Sequence, residues 1–212
     1  MIAEIVLPLL AALVSPGSLI DQPPATTSVS IFDGKSFQGW EGNLKIFRIE
    51  EDAIVGGSLK EKVARNEFLC TTSSYGDFEL RLKVKLVGGD AANAGVQFRT
   101  RRIPNNHEVA GYQADMGTGW WGALYDESRR NKVLTGPDQA KMKTVVKTGE
   151  WNDYVIGAEG KRIQLWINGA QTVDYTEEDP KIESSGVICP QIHAGPPSEA
   201  WYKDITIRTL GK

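Results

Sequence analysis

The run Phe78-Glu79-Leu80-Arg81-Leu82-Lys83-Val84-Lys85-Leu86 sets apolar and charged side chains in strict alternation. Side chains in a strand point alternately to its two faces, so this pattern predicts a strand with one face in a core and the other in water. Further along, Ile163 to Ile167 and Gln171 to Val173 flank Asn168-Gly169, a pair that accepts the positive φ angles of a type I′ turn and so predicts a hairpin. Similar short β-rich runs recur at 47–49, 53–56, 67–71, 94–100, 111–116, 151–159, 186–192 and 200–209, separated by Gly, Asp, Asn and Pro clusters. About eleven strands at such spacing predict an all-β sandwich or barrel. Short helical fragments are expected only within 125–134 and 138–142.

The chain has 212 residues and a formal net charge of −3. That length suits one domain, here 30–212, that buries roughly two-thirds of its surface without a metal or disulfide staple. No basic face is present to neutralise phosphates, which argues against a nucleic-acid partner. Ile5 to Val14 is a short apolar run followed by Ser15-Pro16-Gly17-Ser18 and a Pro-rich stretch. This layout predicts a signal peptide over 1–20 and a linker over 21–29, hence a secreted or periplasmic bacterial protein with no membrane span in the mature chain. Glu4 and the lack of a basic residue before the run depart from that layout, and a frayed N-terminal helix is the alternative. Cys70 and Cys189 each sit in an apolar run, which favours two buried free thiols, although an exported protein could pair them.

Residues two apart share a strand face. Asn93, Gln97, Arg99 and Arg101 oppose Val96 and Phe98; Gln113 and Asp115 stand together, as do Gln191 and His193, and Trp201 and Lys203. Were these strands neighbours, Asn93, Gln97, Arg99, Gln113, Asp115, Gln191, His193 and Lys203 would share one polar surface. Its amides, Arg, Asp and His give directional hydrogen bonds, whereas a merely solvated face favours Lys, Glu and Thr. The Gly-rich loop Gly117-Thr118-Gly119-Trp120-Trp121-Gly122-Ala123-Leu124-Tyr125 adds aromatic plates from Trp120, Trp121 and Tyr125. Plates beside fixed hydrogen-bonding groups suit a sugar ring, although the Trp pair could equally pack into the sandwich edge.

Several motifs in order resemble the 3-keto-disaccharide hydrolase domain family, long called a domain of unknown function. They are Ile31-Phe32-Asp33-Gly34-Lys35-Ser36-Phe37-Gln38-Gly39-Trp40, Asp77-Phe78-Glu79-Leu80, Asn93-Ala94-Gly95-Val96-Gln97-Phe98-Arg99, Gly111-Tyr112-Gln113-Ala114-Asp115, Gly122-Ala123-Leu124-Tyr125, Glu150-Trp151-Asn152, Trp166-Ile167-Asn168-Gly169, Gly186 to Gly195 and Tyr202-Lys203-Asp204-Ile205. The resemblance implies a concanavalin A-like jelly roll of two antiparallel sheets with the ligand on a concave face. It also implies exported proteins acting on glycosides oxidised to a ketone at C3, some members being binders only. The family's usual Glu is Gln113 here and its usual Gln is Asp115, so the carboxylate has moved two residues along one face.

A C3 ketone acidifies the C2 proton, and its removal gives an enediolate that can expel the C1 oxygen. That route needs a base, donors at the C3 oxygen and an acid at the leaving group. His193 is the expected base or acid, Asp115 the second such group or the one that orients it, and Arg99 and Lys203 the oxyanion stabilisers. Asn93, Gln97, Gln113 and Gln191 would hold hydroxyls, and Trp120, Trp121 and Tyr125 the ring. A divalent metal on His193, Asp115 and Glu199 is an open alternative, as is a non-catalytic carbohydrate-binding module. A conventional glycosidase needs two carboxylates about 5–10 Å apart, and this face offers one. His107 reads as a turn residue or rim contact. Asp126, Glu127, Arg129 and Arg130 read as a solvated helical turn or a charged rim.

Overall fold

The computed structural model describes residues 27–211. The expected signal peptide and most of the linker lie outside them. The described strands are β1 (Val29–Ser30), β2 (Trp40–Glu41), β3 (Phe47–Glu50), β4 (Ala53–Ser58), β5 (Glu67–Phe68), β6 (Cys70–Thr71), β7 (Phe78–Gly88), β8 (Asn93–Arg102), β9 (Val109–Gly117), β10 (Leu124–Glu127), β11 (Lys132–Thr135), β12 (Asn152–Glu159), β13 (Arg162–Ile167), β14 (Ala170–Thr176), β15 (Val187–Ile192) and β16 (Ser198–Thr209). A helix, α1 (Gln139–Val145), is capped by Asp138, whose side chain accepts from the Ala140 N–H.

Fourteen of these strands form two antiparallel sheets packed as a sandwich, and β2 and β6 pair with each other beside them. The eight-stranded sheet runs β14-β13-β12-β7-β16-β4-β3, with β1 on β16, and the six-stranded sheet runs β11-β10-β9-β8-β15-β5. Strand β7 shows why: Phe78, Leu80, Leu82 and Val84 are buried while Arg81 is exposed. The apolar set enters one core with Val96, Phe98, Tyr112, Met116, Leu124 and Ile192 from the other sheet. The expected hairpin is β13–β14, turned by Asn168 at φ 49° and Gly169 at φ 82°.

Two core tyrosines tie the sheets together beneath the six-stranded one. Tyr154 on β12 donates to the Asp115 carbonyl at 3.1 Å, and Tyr202 on β16 reaches the Gln191 and Gly95 carbonyls at 2.5 and 3.1 Å. A buried phenol without a partner is costly, so these bonds fix the height and register of β9, β8 and β15 against the core.

Three expectations are corrected. Residues 124–135 form the hairpin β10–β11 rather than a helical fragment. Ser128 at φ 53° and Asn131 at φ 50° turn it, and Arg129 and Arg130 both clamp the fully buried Asp126. Cys70 and Cys189 are not free thiols: β6 lies along β15, and the two residues are disulfide-bonded with Cα atoms 4.0 Å apart. Lys203 belongs to β16, hence to the eight-stranded sheet, where its Nζ lies 4.3 Å from the centroid of the Trp151 ring.

Candidate functional site

The outer face of the six-stranded sheet is a lattice of odd-numbered residues. Register pairs Tyr125 with Gln113, Gln113 with Gln97, Gly95 with both Asp115 and Gln191, and Asn93 with Gly117. The His193 N–H extends the lattice by donating to the Asn93 carbonyl. On this face opens a cavity of about 430 Å³, lined by Asn66, Asn93, Gln113, Asp115, Trp120, Tyr125, Glu127 and His193, with Ala91, Ala194 and Pro196.

Its floor is a chain of oriented hydrogen bonds. Thr100 Oγ1 donates to Gln97 Oε1 at 3.2 Å, Gln97 Nε2 to Gln113 Oε1 at 2.6 Å, and Gln113 Nε2 to Asp115 Oδ1 at 2.5 Å. Gln113 lies across Gly95, where an added Cβ would come within 2.7 Å of its Cγ and Cδ. Glycine at 95 is therefore a requirement of space. Asp115 is 2 % exposed, and its Oδ2 is buried without a partner among the described residues. Burial raises its pKa to about 7, and the nearby Glu127 adds to the rise against the opposing Gln113 hydrogen bond. Burial likewise lifts Glu127 to about 7, with repulsion from Glu108 second.

At the other side of the cavity the His193 Nδ1 lies 2.7 Å from the Ala194 carbonyl oxygen. A carbonyl only accepts, so the proton belongs on Nδ1 and the Nε2 lone pair is left for a ligand. Asn66 Oδ1 accepts from the Ala194 N–H at 3.0 Å, which leaves the Asn66 Nδ2 as the donor of this lining residue. Trp120 is 42 % exposed and meets Tyr125 edge to face at 6.4 Å.

Of the expected residues, the structure brings together His193, Asp115, Asn93, Gln113, Trp120 and Tyr125. It separates five others. Arg99 adopts φ 45° in a bulge between Phe98 and Arg101, which breaks the odd-number parity. Its guanidinium turns away to the Gly76 and Gly160 carbonyls and Asp77, and not to Asp115. Lys203 is in the opposite sheet. Trp121 packs against the main core. Gln97 and Gln191 are fully buried on the lattice and outside the cavity lining, so Gln97 acts only through Gln113. Glu199, the third member of the conceivable metal set, binds Arg48 and the Trp201 indole on the eight-stranded sheet. Among the described residues no cluster of three His, Cys, Asp or Glu side chains is arranged to hold a metal. His107 pairs with Glu108 outside the lining. The sequence reading missed Asn66, which precedes β5; Glu127, offered there as part of a solvated helical turn or of a charged rim of the cleft, lines the cavity beside Tyr125 on β10.

The molecule is thus a two-sheet jelly roll with a polar, aromatic-walled pocket on one sheet, an architecture shared by carbohydrate-cleaving and carbohydrate-binding proteins. The chain belongs to the 3-keto-alpha-glucoside-1,2-lyase-like domain family, whose profile matches residues 27–208. No curated protein matches it by sequence. Among solved structures it is similar to a provisionally assigned glycosyl hydrolase of Parabacteroides distasonis ATCC 8503, with 18 % identity, a TM-score of 0.64, and 87 % of this chain and 94 % of that one covered. It is also similar to the carbohydrate-binding module CBM66 of Bacillus subtilis, with 14 % identity, a TM-score of 0.62, and coverage of 81 % and 96 %. A Bacillus subtilis protein of galectin-like fold gives 9 % identity, a TM-score of 0.62, and coverage of 81 % and 90 %. At such identities these likenesses show the fold.

Proposed function

We propose that this protein cleaves glycosides carrying a ketone at C3, by removing the C2 proton and expelling the C1 oxygen. The observation that carries the reading is one pocket in which Asp115 and Glu127, both with pKa near 7, face a His193 imidazole with a free Nε2 beside the Trp120–Tyr125 plate. A base and an acid must coexist near neutral pH, and groups poised there serve both roles. His193 Nε2 takes the C2 proton, Asp115 in its protonated form gives its proton to the C1 oxygen as the C1–O bond breaks, and Asn66 and Asn93 donate to the C3 oxygen. With Arg99 and Lys203 outside the pocket, neutral donors rather than cations stabilise the enediolate. The name of the family describes elimination across C1 and C2, which supports the same route. Export is part of the proposal: the Cys70–Cys189 disulfide suits an oxidising compartment, as does the apolar run ahead of the domain.

The test is release of an aglycone from a 3-keto-glucoside and from its parent glucoside. Turnover of the keto compound alone, lost in His193→Ala, supports the proposal. Saccharide binding without turnover identifies a binding module instead. Because Glu127 supplies the second carboxylate that the sequence did not show, comparable cleavage of the parent glucoside would favour a two-carboxylate glycosidase.

A further inference from the structure

The pocket is broad and one-sided in charge. His193 and Tyr125 stand on, or just beyond, strands separated by three interstrand spacings, roughly 14 Å of sheet. That is wider than one sugar ring, so the reacting sugar at His193 leaves the Trp120–Tyr125–Glu127 end for the departing half of the glycoside. No Lys or Arg lines the cavity. The nearby arginines are committed elsewhere: Arg130 to Asp126 and Glu177, Arg129 to Asp126, and Arg99 to Asp77. Two carboxyl groups, Asp115 and Glu127, therefore share the cavity with no cationic partner, and the buried Asp115 Oδ2 has no hydrogen-bond partner among the described residues. Beside Glu127 the exposed Trp120 and the half-buried Tyr125 meet edge to face in the cavity wall. Aromatic faces next to a carboxylate attract an ammonium both through the ring quadrupole and by charge.

We propose that the Trp120–Tyr125–Glu127 end of the pocket recognises an ammonium group on the leaving half of the ligand, so that the preferred substrates are amine-bearing glycosides. The inference rests on the pocket being a glycoside site and is independent of whether the keto-sugar chemistry occurs there. Sugar acids and sugar phosphates are correspondingly disfavoured, since they would bring a like charge against two carboxyls that have no cationic partner in the cavity.

Calorimetric titration with matched 2-aminoethyl, 2-hydroxyethyl and carboxymethyl α-glucosides tests it. The expected order is amine tightest and acid weakest, with about a tenfold or greater preference for amine over alcohol. Glu127→Gln should abolish that preference, bringing the amine to the affinity of the alcohol, and Trp120→Ala should weaken all three. Equal affinities, preference for the acid, a preference that survives Glu127→Gln, or no binding of any of the three overturns the inference. Charge order without keto-glucoside turnover would remove the proposed reaction and leave this inference standing; turnover without charge order would do the reverse.

Discussion

Substituting Asp115 by Asn should make the protein less sensitive to rising pH. The carboxyl is raised from its ordinary 3.8 to about 7 in the folded protein, chiefly by burial. Between those values the folded chain holds a proton that the unfolded chain has released, so stability falls as pH rises through the interval and levels off above about 7. Each pH unit across the interval corresponds to about 1.4 kcal/mol, which makes the full loss about 4 kcal/mol by pH 8. Asp115 is 2 % exposed, so solvent screening takes little from that figure, though water drawn to the ionised group would make it an upper one. Asn is neutral throughout and can still accept from Gln113 Nε2. Wild type and Asp115→Asn should therefore have similar urea midpoints near pH 4 and diverge steadily until the variant is ahead by up to about 4 kcal/mol, roughly 10 °C in Tm, near pH 8. Glu127 contributes a slope of the same sign to both proteins and cancels to first order. A gap between the two proteins that does not widen between acid and alkaline pH would refute the burial argument for Asp115.

Neighbouring tryptophans should behave differently. Trp120→Ala should weaken saccharide binding and move Tm by little, since its ring is exposed, whereas Trp121→Ala should cost about 2–3 kcal/mol in chemical denaturation through lost core packing. Arg99→Met should cost about 3–5 kcal/mol by leaving Asp77 and two carbonyls without their cation, with ligand affinity unchanged in the folded fraction; lost binding at unchanged stability would return Arg99 to the site. Gly95→Ala should push Gln113 off the floor and reduce affinity at a stability cost of about 2–4 kcal/mol, because the displaced Gln113 gives up its buried hydrogen bonds to Gln97 and Asp115; a crystal structure with Gln113 unmoved would contradict this.

Much of the fold is written locally, in alternation such as that of Phe78 to Leu86 and in the Asn168-Gly169 turn. The floor of the site was legible for the same reason: Gln113, Asp115 and His193 keep the period of two, and their strands are near neighbours. Three kinds of information were not local. Parity fails at a bulge, and nothing in Phe98-Arg99-Thr100 announces that Arg99 will take a positive φ. Sheet membership is set by long-range pairing, so Lys203 could not be told from a site residue by its neighbours alone. The 125–134 stretch is rich in charge, and only the turn at Ser128 and Asn131, with Asp126 neutralised by two arginines, makes it a hairpin. Without that hairpin, sequence leaves Glu127 between a solvated turn and the rim of the cleft.

The central position of β16 bears on how the molecule is made. This strand pairs with β7 on one side and with β4 on the other, and its Tyr202 holds the floor of the pocket from below. It is also the last strand of the domain to leave the ribosome. A nascent chain stopped before it has β7 and β4 with a gap between them and no phenol under Gly95, so the sandwich closes only after synthesis of the domain is complete.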